Sequence, residues 1–109
     1  MLRVYFDDDF QLGPGKVRLL ELIGESGSIS AAGRAMEMSY RRAWLLIDEM
    51  NRAFREPVIL TARGGKRGGG AELTDFGREV VSRYRDLEAR ALAAAAPHVA
   101  AFEAKLVRR

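Results

Sequence analysis

The stretch GSISAAGRAMEMSYRRAWLLIDEMN, residues 27–51, decides the fold because it contains two helical patterns separated by a short turn. In the first pattern, apolar residues recur at three- and four-residue steps from Ile29 to Met36, with small residues between them. Ser28 precedes this pattern as an N-cap, and Ser39 precedes the second pattern in the same way. Small residues allow two helices to cross closely, so the stretch predicts a helix-turn-helix unit.

The second helix of this unit has the clearest amphipathic pattern in the chain. Its apolar stripe consists of Tyr40, Ala43, Trp44, Ile47, Met50 and Phe54. Because Trp44 lies on the stripe, we expect it in the core rather than stacked on a base. Pro57 prevents the helix from continuing.

A short hairpin follows the helix-turn-helix pattern. Residues 58–62 (VILTA) and 71–73 (AEL) have the composition of strands, and a glycine-rich loop, RGGKRGGG at residues 63–70, connects them. In this order the hairpin is the wing of a winged-helix domain. Residues 2–6 alternate with a period of two and are expected to supply its third strand. We therefore predict a mainly α-helical fold with a small antiparallel β-sheet.

Two further helices flank this unit. One begins near Lys16 and ends at Gly27. The other is long and is capped by Thr74, and its apolar residues alternate at four- and three-residue steps, as in a coiled-coil seam. Pro97 is expected to interrupt this last helix, leaving a separate short stripe after it.

The first and last helices together expose more apolar surface than one small domain hides, which favours a homodimer. We divide the chain into a winged helix-turn-helix part, residues 1–75, and a C-terminal helical dimerisation segment of the same domain, residues 76–109. The predicted dimer interface consists of Leu20, Val80, Tyr84, Leu87, Ala91 and Phe102.

Composition excludes several classes of function. The chain has 109 residues, which suits one compact domain, and it has no cysteine, so disulfides and thiolate metal sites are excluded. It has one histidine, and no nucleophile is paired with a base, so we predict neither an enzyme nor a bound cofactor or metal. The sequence shows no signal peptide and no apolar run of membrane length, which predicts a cytoplasmic protein without a membrane partner.

The net charge of +3 is weak evidence for nucleic-acid binding, and the positions of the cations are more informative. Arg41 and Arg42 stand at the start of the second motif helix, which enters the major groove in helix-turn-helix proteins. Arginine there forms bidentate bonds with guanine. Ser39 and Tyr40 add hydroxyl groups that reach phosphates or base edges.

The glycine-rich loop carries three cations, Arg63, Lys66 and Arg67. Glycine lets a backbone approach closely and the cations neutralise phosphates, so we interpret the loop as a wing that lies along DNA. A nucleotide-binding P-loop is excluded, since neither serine nor threonine follows Lys66 and a strand, not a helix, comes next.

Residues 27–51 and the segment GGKRGGGAELTDFG, residues 64–77, resemble the N-terminal DNA-binding domain of the ModE family. These are molybdate-responsive repressors related to the LysR-type winged helices. The segment GPGKVRLLELI, residues 13–23, is also similar, and the resemblance spans about residues 2–95. It implies a winged helix-turn-helix that binds a palindromic operator in double-stranded DNA as a homodimer. Ser28 and Ser30 match the start of the first motif helix, which implies phosphate contacts.

Two features depart from the family pattern. Full-length ModE proteins continue into molybdate-binding domains, for which 109 residues leave no room. We therefore expect no molybdate binding and no small-molecule effector within this chain. Leu45 and Leu46 stand where polar or small residues are expected, and they either pack on a neighbouring helix or meet thymine methyl groups.

The sequence thus predicts a sequence-specific, DNA-binding transcription regulator. Two alternatives stay open, because winged helices also serve as protein–protein interaction modules and because a nucleoid-type protein binds DNA without specificity. The second alternative predicts equal affinity for random and selected sequences.

Overall fold

The structure is a computed structural model that describes residues 1–7, 9–61 and 70–107. In chain order its elements are β1 (Val4–Tyr5), β2 (Gln11–Leu12), α1 (Pro14–Ser26), α2 (Ile29–Ala35), α3 (Tyr40–Ala53), β3 (Ile59–Thr61), β4 (Ala71–Leu73) and α4 (Asp75–Glu103). β1 pairs antiparallel with β2, and β3 pairs antiparallel with β4. The mainly helical fold, the hairpin of the wing and the long last helix are confirmed.

The N-terminal strand forms a sheet of its own. Val4 pairs with Leu12 and Tyr5 pairs with Gln11, and the two sheets share no strand within the described ranges. The prediction that residues 2–6 add a third strand to the wing is therefore wrong. The reason is local, because the chain reverses just after β1 and presents Gln11–Leu12 as a partner only a few residues away.

The core is centred on α1 and on a close crossing of α2 and α3. Leu19 and Ile23 of α1 have no exposed surface. At the crossing, a Cβ atom added to Gly33 would lie 3.3 Å from the Cβ of Ala43, so even an alanine there would require the helices to shift by a few tenths of an ångström. The small residues of α2 therefore determine how closely α3 packs against it.

Three positions that we predicted at a dimer interface belong to the core of the protomer. Leu20 is completely buried, and Val80 and Tyr84 are nearly so. A side chain that its own protomer covers has no surface left for a partner, so the interface prediction is wrong at these three positions. The other predicted positions, farther along α4, are Leu87, Ala91 and Phe102.

α4 continues through Pro97 as one helix. The expected interruption there is wrong, because proline removes a single N–H donor and the residues just before it are mostly alanine, the strongest helix former. Thr74 caps the start of the helix, as predicted, by accepting a hydrogen bond from the Gly77 N–H at 2.8 Å. In the described part of the chain, no helix is both long and apolar enough to span a membrane.

An ion pair joins α1 to the first half of α4. The Arg85 guanidinium donates to the Glu21 carboxylate from Nε at 3.1 Å and from Nη2 at 2.9 Å. These bonds hold the pKa of Glu21 below its ordinary value. Arg85 also donates to Glu88 at 2.9 Å. The first turns of α4 are therefore part of the winged domain, and only the distal half of the helix extends from it.

Candidate nucleic-acid interface

The helix-turn-helix unit consists of two helices with side-chain caps. Ser28 Oγ accepts a hydrogen bond from the Ala31 N–H at 3.0 Å, and Ser39 Oγ accepts one from the Arg42 N–H at 3.1 Å. Between the helices, Glu37 adopts a positive φ of 57°, which reverses the chain. Both caps predicted from the sequence are confirmed, and they fix where α3 begins.

α3 presents one face to the core and the opposite face to solvent. Ala43, Ile47 and Met50 form the buried face. With 3.6 residues per turn, Arg41 lies about 160° around the helix axis from Ala43, whereas Arg42 lies about 100° away. Arg41 therefore points outward and Arg42 points sideways, and both are exposed.

Ion pairing distinguishes the arginines of α4 from three arginines of the helix-turn-helix unit. Four arginines of α4 form ion pairs with carboxylates: Arg78, Arg83, Arg85 and Arg90. In contrast, Arg34, Arg41 and Arg42 have no carboxylate partner among the described residues, and Arg34 donates only to Ser30 Oγ at 3.4 Å. An unpaired guanidinium keeps its charge and its donors available for an anionic ligand. The start of α3 is therefore an uncompensated positive site.

Arg42 also lines a hollow between the start of α1 and the flank of α3, with a volume of about 430 Å³. Arg3 and Lys16 line the same hollow, and Lys16 Nζ is paired with the Glu49 carboxylate at 3.2 Å. One carboxylate thus faces three cations, so the hollow is net positive and the charges of Arg3 and Arg42 are not neutralised within it.

Large aromatic and apolar side chains are exposed in the first two turns of α3. Trp44 is 44% exposed, Tyr40 is 57% exposed and Leu45 is 51% exposed. The prediction that Trp44 belongs to the core is wrong, because it lies about 100° from Ala43, at the edge of the buried face. Leu46 packs against the core. Of the two predicted roles for this residue, packing or contact with thymine methyl groups, the structure supports packing.

Asn51 fixes the wing to the end of α3, a role that was not predicted from the sequence. Its Nδ2 donates to the Ile59 carbonyl at 3.1 Å, and its Oδ1 accepts from the Val58 N–H at 2.7 Å. The amide thereby satisfies backbone groups at the start of β3. The available signal was an asparagine, a weak helix former, within the last turn of a strongly patterned helix.

The base of the wing lies beside the start of α2. Thr61 pairs with Ala71, and the Ala71 N–H donates to the Gly27 carbonyl at 3.0 Å, one residue before the cap of α2. The three loop cations predicted to contact DNA lie outside the described residues: Arg63, Lys66 and Arg67.

Several curated proteins are similar in sequence to this chain. The molybdenum transport protein ModE of Azotobacter vinelandii is 42% identical over 90 residues, which are 81% of this chain and 33% of that protein. The molybdenum-pterin-binding protein MopB of Rhodobacter capsulatus is 44% identical over 72% of the chain and 29% of its own length. The DNA-binding transcriptional dual regulator ModE of Escherichia coli is 41% identical over 65% of the chain and 27% of its length. The chain spans about a third or less of these relatives.

Solved structures share the fold. A LysR family transcriptional regulator has a TM-score of 0.56 at 19% identity, over 73% of this chain and 26% of that one. Full-length LysG of Corynebacterium glutamicum, with its effector Arg bound, has a TM-score of 0.56 at 17% identity, over 82% of this chain and 30% of its own. No family model matches the chain. At these identities the likeness is one of fold.

Proposed function

Because this chain is a ModE-like winged helix-turn-helix domain, we propose that it acts in the cytoplasm as a transcription regulator that binds double-stranded DNA with sequence specificity. The observation that carries this proposal is that Arg41 and Arg42, at the capped start of α3, have no carboxylate partner among the residues that the structure describes. In helix-turn-helix domains this part of the recognition helix enters the major groove. The proposed function is binding without catalysis.

Arg41 is proposed to contact bases. It lies on the outward face of α3, so its guanidinium points toward base edges when the helix lies in the groove. Bidentate bonds to O6 and N7 of guanine would contribute about 1–3 kcal/mol of discrimination. Farther along the same face, Arg52 is paired with Asp48 at 2.9 Å, so the free positive charge is concentrated at the start of the helix.

Arg42 is proposed to contact the phosphate backbone. The major groove is about 12 Å wide, so phosphates lie along both flanks of an inserted helix. Arg42 points to one flank, where the hollow that it shares with Arg3 is net positive. The geometry therefore favours different roles for two arginines that the sequence assigned together to bases. Further phosphate contacts are proposed for the hydroxyl groups of Ser28, Ser30, Ser39 and Tyr40.

The wing is proposed to bind the DNA backbone through Arg63, Lys66 and Arg67. Replacing both Lys66 and Arg67 with Ala should weaken binding to every DNA sequence. Each lost phosphate contact lowers the slope of log K against log salt by about 0.9, so the double variant should lose about 2 from the slope. Fluorescence anisotropy with labelled duplexes at several salt concentrations measures this.

The control for the wing variant is the double substitution Arg83→Ala and Arg90→Ala. It removes the same net charge from α4, where both side chains are paired with carboxylates of their own helix. We expect its salt dependence to equal that of the wild type. A wing variant with an unchanged slope would remove the wing from the proposed interface.

The distal half of α4 is proposed to form a homodimer. The face that buries Val80 and Tyr84 in the core continues beyond the domain, where residues 92–107 are all exposed. Apolar side chains on the continuing face are Ala91, Ala95, Val99 and Phe102. Phe102 is 73% exposed, and an apolar stripe of this kind is stabilised by packing against a second copy. Two protomers would place two recognition helices roughly 34–36 Å apart, on a palindromic operator.

Phe102→Asp should convert a dimer into a monomer at micromolar concentration, as measured by analytical ultracentrifugation. The matched control is Ala100→Asp, which adds the same charge on a face about 160° away and should leave the dimer intact. A wild-type protein that sediments as a monomer under these conditions would contradict the proposed interface.

A further inference from the structure

Leu45 lies at the centre of the outward face of α3. It is about half exposed, and it is not among the side chains that pack against the core. The outward residue one turn before it is Arg41, and the outward residues after it form the ion pair of Asp48 and Arg52. An apolar side chain therefore interrupts an otherwise charged surface, directly beside the residue that we place on bases.

An exposed leucine is ordinary in itself, since large apolar residues are often scattered over protein surfaces. The position of Leu45 is what carries information. A leucine on this face does not stabilise the core, because it lies about 160° from Ala43 and so points away from α1 and α2. If α3 enters the major groove, however, Leu45 is buried against base edges.

We propose that Leu45 contacts the C5-methyl group of a thymine and is a specificity-determining residue of this domain. The other groups at the edges of the major groove are hydrogen-bond donors and acceptors, and the thymine methyl is the apolar group there. Burying a leucine against it removes apolar surface from water without leaving a polar group unpaired. The proposal rests on the proposed function, because it requires α3 in the groove.

The spacing along α3 adds a geometric condition. Arg41 and Leu45 are four residues apart, which is about 6 Å along the helix axis. Successive base pairs are about 3.4 Å apart, so the two side chains reach bases about two steps from each other. The operator should therefore carry a guanine and a thymine at about this separation in each half-site.

The test replaces single thymines with deoxyuridine, which removes only the methyl group, in a duplex selected by the wild-type protein. One thymine per half-site should be sensitive, with a loss in affinity of about fourfold, as expected for burying one methyl group. Leu45→Ala should lose a similar factor on the thymine duplex and should no longer distinguish thymine from uracil at that position. Leu45→Met, which keeps an apolar side chain, should retain the distinction.

Each outcome decides the proposal. A Leu45→Ala variant that keeps the full wild-type sensitivity to uracil overturns the role of Leu45 while leaving the proposed function in place. Unchanged DNA affinity of Leu45→Ala overturns it as well. If the wild-type protein selects no duplex at all, both the inference and the proposed function fail. Melting temperatures of the variants should equal that of the wild type, since Leu45 is outside the core.

Discussion

Replacing Arg41 with Ala is expected to reduce the preference of the protein for its operator over random duplex DNA by about ten- to a hundredfold. The arginine is exposed, has no carboxylate partner among the described residues, and points away from the core of the domain. Its loss should therefore remove base contacts while leaving the melting temperature nearly unchanged. Competition binding with selected and random duplexes measures the ratio directly.

Arg42→Ala provides the comparison for this result. Both substitutions remove one positive charge from the first turn of α3, but Arg42 points into the hollow at the flank of the helix. We expect its loss to weaken binding to selected and random DNA by the same factor. An Arg41→Ala variant that keeps the specificity ratio would contradict the assignment, and a large fall in its melting temperature would show a structural role instead.

Replacing Gly77 with Ala should destabilise the fold by about 3 kcal/mol, which corresponds to a melting temperature lower by about 10–20 °C. The added Cβ would lie 2.3 Å from the Val58 carbonyl oxygen and 2.6 Å from Leu73 Cδ1. The backbone at Gly77 cannot easily shift to relieve these contacts. Its N–H donates to Thr74 Oγ1 at the cap of α4, and the Thr74 N–H donates to the Val58 carbonyl at 3.0 Å. Thermal denaturation followed by circular dichroism tests this.

The matched control is Gly15→Ala in the first turn of α1. A Cβ added there has no neighbour within 4 Å, so the substitution should be neutral or should stabilise the protein by up to about 1 kcal/mol. Equal melting temperatures for the Gly77 variant and the wild type would contradict the close packing of the start of α4 against Val58 and Leu73.

Features that depend on neighbouring residues could be predicted from the sequence. Ser28, Ser39 and Thr74 all cap helices as expected, because a cap requires only a hydroxyl group and the N–H groups that follow it. The strands of the wing were also found, since composition and a glycine-rich connection define a hairpin locally.

Features that depend on which surfaces meet could not be predicted. Leu20 and Trp44 show this in opposite directions. Leu20 was assigned to a partner and is buried, whereas Trp44 was assigned to the core and is exposed. Periodicity shows which face of a helix is apolar, but the width of the face that becomes covered depends on how the neighbouring elements are arranged.

The candidate site likewise has features that local sequence predicts and features that depend on tertiary packing. The sequence predicted that Arg41 and Arg42 lie in the first turn of the second motif helix, and α3 begins at Tyr40 as expected. Their different directions became visible only with the buried face of α3 and the hollow beside Arg3. The bonds from Asn51 to β3 join two elements and have no specific local pattern.

Selection of binding sites from a random pool of duplex DNA tests the central claim most directly. We predict enrichment of one palindromic sequence, with half-sites about 34–36 Å apart and an affinity at least about 10³ times that for random DNA at the same salt concentration. Equal affinity for the selected and random pools, or no binding even at low salt, would contradict the claim that this domain is a sequence-specific regulator.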